Sequence, residues 1–185
     1  MIGALPTSLT VDGKKYQIRT DYRVALTIFE AYNDPELSNV DKMLVCIDCL
    51  YIEKPDDVKE ALEQASWFLD GGSTVKLKKV PYKIIDWEQD EGLIFPEVNK
   101  FAGHETRSAT YIHWWTFLGY FNTIGEGLLS NVLNIREKRG KGKRLEKWEQ
   151  EFFDSHKEMI IIKPKLTAAE QAELDEEEAF INELC

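Results

Sequence analysis

Cysteine is scarce. Cys46, Cys49 and Cys185 are the whole set in 185 residues. An odd, sparse set behind an N-terminus (MIGALPTSLTVDGKK) without a basic region and long apolar core fits a reducing cytosol and excludes a disulfide framework. Long apolar runs are also missing: no window approaches the ~18 residues of a membrane span, so no membrane partner is expected. Positive charge is in deficit, with 23 Lys and Arg against 33 Asp and Glu and a net charge of −10. That balance opposes non-specific binding to a polyanion. The three histidines, His104, His113 and His156, form no pair at ligand spacing. There is no phosphate loop, and Gly125-x-Gly127 lacks the strand and third glycine of a dinucleotide fingerprint.

Two weaker signals fail on the same grounds. Cys46-x-x-Cys49 has no second pair to complete a four-ligand zinc site and no βαβ setting for redox work, so on a helix the two act as small apolar residues. Asp86, Glu88, Asp90 and Glu97 echo a calcium loop, but Glu91 stands at its obligatory glycine and Gly92 comes one place late. Those acids are expected on a solvated helix face. His113 has no Ser- or Cys-centred motif near it and reads as a hydrogen-bonded structural residue. No catalytic residue, metal or cofactor is expected, and the chain does not read as an enzyme.

The length suits one domain with a real core. Leu9 and Val11, then Tyr16 and Ile18, alternate with polar residues around Asp12-Gly13, which predicts a β-hairpin over 9–19. Thr20 or Asp21 caps a helix with Ala25, Ile28, Phe29 and Tyr32 inward. A second helix starts near Ser38 with Val40, Leu44, Ile47 and Tyr51 on one face. Asp56 or Asp57 caps a third, ended by Gly71-Gly72. A connector over 73–82, extended around Val75 and Leu77, leads to a helix from Ile84 to Phe101, which Gly92 and Pro96 weaken. A fifth helix is predicted from Thr106 with Trp114, Leu118, Phe121 and Ile124 in register. A sixth carries Leu128, Val132 and Ile135 to Gly140-Lys-Gly142, and a further helix presents Leu145, Trp148 and Phe152. Residues 159–162 read as strand-like, and Thr167 with Glu170 opens a helical tail through a capping box. The fold expected is mainly α: a single-domain helical bundle over 1–160 with an N-terminal β-hairpin, then an acidic C-terminal helical tail over 161–185.

Charge is unevenly placed. Arg136, Lys138, Arg139, Lys141, Lys143, Arg144 and Lys147 cluster, whereas 166–185 holds seven acids and no base. The two segments suit contact with each other or with neighbouring subunits, or else both are solvated faces. The basic run could also follow a phosphate backbone, with Trp148 stacking a base, although the acidic chain matches no nucleic-acid module.

The string IHWWTFLGYF…IREKRGKGKRLEKWEQEF, with LTVDGKKYQIRTDYR (9–23) and DWEQDEGLIFPEVNKFAG (86–103), resembles the bacteriophage gene-product-fifteen family of long-tailed phages and prophages of Gram-positive bacteria. The resemblance runs from the N-terminus to about residue 155. It implies a small protein encoded between the major tail protein and the tape-measure protein, the place of tail assembly chaperones. Such a chaperone works in the host cytoplasm, coats the coiled-coil tape measure and recruits tail-tube subunits, and no catalytic residue transfers. The expected partners are therefore the tape-measure protein and the major tail protein, with self-association giving avidity. Trp115, Tyr120 and the basic residues Arg136, Lys138, Arg139, Lys141, Lys143 and Arg144 are the expected protein contacts, with Trp114, Leu118 and Phe121 in the core. The alternatives are a permanent virion component, such as a tail completion or head-tail joining subunit, and a nucleic-acid-binding regulator acting through 136–147.

Overall fold

Asp12 (φ 46°) and Gly13 (φ 70°) both adopt the left-handed conformation of a type I′ turn, which joins β1 (Ser8–Val11) to β2 (Lys14–Gln17). The pairing is antiparallel, with Leu9 opposite Tyr16 and Val11 opposite Lys14. Leu9, Val11, Tyr16 and Ile18 are buried, as their alternation predicts. A two-stranded ribbon is marginal alone, and this one packs on α3 and receives a tie from it, the Asp12 N–H donating to Glu60 Oε2 at 2.7 Å. The structure is a computed structural model describing residues 3–73 and 81–184, with the side chains of 177, 178 and 180–184 excepted. The extended stretch expected at Val75 and Leu77 lies outside the described residues.

Local caps set the next three helices. Asp21 accepts from Arg23 N to start α1 (Tyr22–Asn33). Ser38 and Asp41 form a reciprocal capping box on α2 (Asn39–Leu50). Asp57 accepts from Glu60 N to start α3 (Val58–Leu69). On α3 the inward residues Ala61 and Ala65 are small enough for β1 to approach closely. The face predicted for α2 is corrected. Its buried stripe is Cys46, Ile47 and Leu50, while Val40 and Leu44 are 64% and 50% exposed. At 100° per residue Leu44 lies roughly 110° round the helix from that stripe.

The fourth helix begins later than predicted. Residues 84–90 fold into a turn built on Asp86, whose Oδ1 accepts from Glu88 N and Gln89 N, both at 3.0 Å. A carboxylate that binds nearby backbone N–H groups competes with the helix, so α4 is Glu91–Ala102. Pro96 is accommodated inside α4, and Phe101 is 40% exposed rather than inward. Thr106 does not open α5. It starts a 3-10 turn (Thr106–Ser108), with its N–H and hydroxyl both donating to Asn99 Oδ1. α5 is Trp114–Asn122; Trp114 and Phe117 are fully buried, while Leu118 and Phe121 are partly buried against the core. Tyr22 stacks on Phe117 with ring centroids 4.5 Å apart.

α6 (Leu128–Gly140) ends at Gly142 (φ 65°), with Lys143 N donating back to Lys138 O in a Schellman-type closure. The chain turns into α7 (Lys147–Ser155), where Phe153 and Glu149 face inward and Trp148 is 47% exposed, which corrects the predicted face. Residues 157–160 form the short α8 (Lys157–Ile160) in place of a strand, and only Ile160 of the isoleucine run is buried. Thr167 and Glu170 cap α9 (Ala168–Leu184). The main core joins the hairpin to α1–α5. Val132, Ile135, Phe153 and Ile160 form a second, smaller core, and Leu93 of α4 packs against both.

Candidate functional site

The basic segment does not act as one patch. Arg136 is buried: Nη1 and Nη2 donate to Asp90 Oδ2 and Oδ1 at 2.6 and 2.8 Å, and further bonds reach the carbonyls of Ile84, Met159 and Ile160. All five guanidinium N–H donors are thereby satisfied. Asp90 Oδ2 also accepts from Asp86 N. Asp86 and Asp90, expected on a solvated face, are instead 2% and 1% exposed. Burial alone would raise the Asp86 carboxyl, but hydrogen bonds from Lys83, Gln89 N and Glu88 N outweigh it and hold it below the usual carboxylate value. The sequence carries a signal for Arg136: it falls seven places after Leu129 and four after Val132, on the apolar stripe of α6.

The other cations differ among themselves. Lys138 reaches the buried Glu149 at 2.6 Å and Glu146 at 3.8 Å. Burial pushes the Glu149 carboxyl up, and bonds from Lys138, Glu146 N and Asn134 more than reverse it. Arg139 lies over the Phe153 ring at 4.0 Å, and Lys141 pairs with Glu137 one turn back. Lys143 and Arg144 are exposed and make no ion pair among the described residues.

The aromatic run is mostly structural. His113 caps α5, its Nδ1 accepting from Trp115 N and its Nε2 meeting Pro6 O, each at 3.0 Å, so it is a hydrogen-bonded structural residue as expected. Trp114 Nε1 donates to Leu69 O and Trp115 Nε1 to Phe68 O. Trp115 stands edge-on to Trp67 and closes over Gly72, while Tyr120 is half-buried against the main core. Cys46 is buried, and burial pushes its thiol pKa up despite a hydrogen bond with Tyr32.

Two open surfaces among the described residues bear on partner binding. The first two turns of α2 expose Val40, Met43 and Leu44, an i, i+3, i+4 apolar set. Between α1 and the start of α4 lies a groove of about 290 Å³, floored by Tyr22, Trp87 and Phe95. Sequence reasoning missed both. It assigned Val40 and Leu44 to the core, and the groove joins residues some 60 positions apart.

Among the described residues no helix is long and apolar enough to cross a membrane. No curated protein and no solved structure matches the chain. One family profile does, described as Bacteriophage Gp15 protein, over residues 1–160. That span takes in the hairpin, both cores and the Asp90–Arg136 pair. The chain belongs to the Bacteriophage Gp15 family, which points to a phage structural or morphogenesis protein.

Proposed function

We propose that this protein is a non-catalytic tail assembly chaperone, acting in the host cytoplasm on the tape-measure protein and tail-tube subunits. Family membership carries the reading, because the family's usual gene position lies between those two partners. The exposed Val40, Met43 and Leu44 set supports it: a coiled-coil client presents apolar stripes that need a solvent-facing apolar counterpart. Each such contact is small, and several chaperone copies along one client supply avidity. The half-buried Trp115 and Tyr120 present only their outer edges to a partner, and Lys143 and Arg144 are the cations of the basic segment best placed to meet one.

The test is co-expression with the long coiled-coil protein encoded next to this gene. A chaperone keeps that partner soluble and co-elutes with it as a large complex, and Val40→Asp combined with Leu44→Asp reduces the soluble fraction several-fold. An insoluble partner with this chain eluting alone defeats the proposal. Mass spectrometry of purified particles then decides for the virion-component alternative if the chain is present in stoichiometric amount.

A further inference from the structure

The groove between α1 and α4 has a chemistry of its own. Its floor is aromatic, and carboxylates stand at its rim: Glu30 on α1, Glu88 in the Asp86 turn and Glu91 in the first turn of α4. Glu30 makes no direct ion pair among the described residues, and Glu91 reaches Arg107 only at 3.5 Å between two half-exposed side chains. Arg23, a cation in the groove wall, is already engaged by Asp21, by the carbonyls of Arg107 and Ala109 and by the Tyr22 ring beneath it. Carboxylates clustered beside an aromatic wall suit a lysine or arginine, whose stem lies along the apolar wall while its head meets the acids.

One such side chain is already there. Lys165 lines the groove and pairs with Glu88. Residues 161–167 bring it to the groove as an irregular strap, tied by two reciprocal bonds: Gln89 Nε2 donates to Lys163 O at 2.7 Å and Lys163 N donates to Gln89 Oε1 at 2.9 Å. At its far end Ala168 N donates to Glu36 Oε1. No residue from 161 to 167 is fully buried, and a segment with so little buried apolar surface opens locally at low cost. The strap also lies wholly outside the 1–160 region that matches the family.

We propose that this groove is a docking site for a lysine or arginine on an apolar-flanked segment of a partner, and that the strap occupies it in cis through Lys165. Binding in trans then competes with the strap. The identification of that partner as the tape-measure client rests on the chaperone reading; the groove chemistry does not. A tethered segment has an effective concentration in the millimolar range, so a free peptide meets strong competition until Lys165 is removed.

The experiment uses the full chain and, as probe, an acetylated and amidated peptide of the strap sequence 161–167, followed by NMR shifts of the Trp87 indole N–H, assigned with Trp87→Phe. The Lys165→Ala chain is expected to bind the peptide about tenfold more tightly than the unaltered chain. Binding disappears when the peptide carries Lys165→Glu, and again when the Lys165→Ala chain also carries Glu30→Lys or Glu88→Lys, both exposed sites whose circular-dichroism melts stay unchanged. Equal binding to both chains, no binding to either, or indifference to the rim charges overturns the proposal. If the peptide docks but co-expression leaves the coiled-coil protein insoluble, the groove stands and the chaperone reading falls. If Glu30→Lys abolishes peptide docking yet retains the coiled-coil protein fully, the groove is not where that client binds.

Discussion

Arg136 shows how a residue that looks like surface charge becomes a structural centre. Its bidentate pair with Asp90 and its three carbonyl contacts tie α6 to the turn before α4 and to α8. The pair itself offsets a large desolvation cost, so its net worth is modest, but removing one partner strands a buried charge. Asp90→Asn should therefore lower the free energy of unfolding by about 3–5 kcal/mol, read from urea denaturation at pH 7. Arg136→Met combined with Asp90→Asn should cost clearly less than the two single changes added together, because both act on one interaction. Additive costs would show that the two residues stabilise the fold independently. Gly72 makes a second point at this scale. Its φ is +80° and a Cβ there would stand 2.6 Å from the Trp115 ring. Gly72→Ala meets both backbone strain and collision, and should lower the free energy of unfolding, seen as a lower urea midpoint, by more than the ~1 kcal/mol typical of point changes. A midpoint unchanged from that of the unaltered chain would mean that Trp115 swings clear.

At the scale of elements, caps and turns were the most legible features, because each depends on residues close in sequence. Asp12-Gly13, Asp21, Ser38, Asp57, Gly71-Gly72 and the Thr167–Glu170 box all stand where their side-chain chemistry puts them. Faces were less legible. The two-sided apolar pattern on α2 left the choice of stripe to tertiary contacts, and α1 and α3 take Cys46, Ile47 and Leu50 instead of Val40 and Leu44. The Asp86 turn shortened α4 because a carboxylate claimed the backbone N–H groups that a longer helix would have used. The Lys165 groove was invisible for the same reason as the Arg136 pair: its parts meet only after α1, α4 and the strap have packed. α5 offers a test of the local rule. His113 accepts from Trp115 N and also ties the N-terminal segment through Pro6 O. His113→Ala should cost about 1–2 kcal/mol, the upper range of a lost cap. His113→Asn, which restores a cap acceptor without reaching Pro6, should recover part of it. If the alanine and asparagine variants melt alike, the ring acts by packing alone.

The whole molecule balances two opposing charge effects. At neutral pH a net charge of −10 works against compactness, so mild acidification toward the pI of about 4.9 should raise stability. Against this, Asp86 and Glu149 are buried carboxyls held below their ordinary values by their hydrogen bonds. A carboxyl that titrates lower in the fold than in the unfolded chain contributes stability that is complete above its unfolded pKa. That contribution is lost as pH falls through the folded value. Urea midpoints measured from pH 7 downward should therefore rise, pass a maximum and then drop below about pH 4. Glu149→Gln should flatten the acid drop while leaving the earlier rise intact, and an identical drop would assign acid sensitivity elsewhere. The tail separates the two limbs. α9 is exposed at every residue whose side chain is described, so a chain ending at residue 167 should keep its free energy of unfolding at pH 7 within about 0.5 kcal/mol of that of the full chain. The deletion takes away seven carboxylates and no base. Self-repulsion then has less to give back, and the rise between pH 7 and 5 should shrink while the acid drop, set by Asp86 and Glu149 in the body, stays in place. A truncated chain whose neutral midpoint falls sharply would show instead that the acidic helix packs on the body, with the exposed Lys143 and Arg144 as its natural counter-charges.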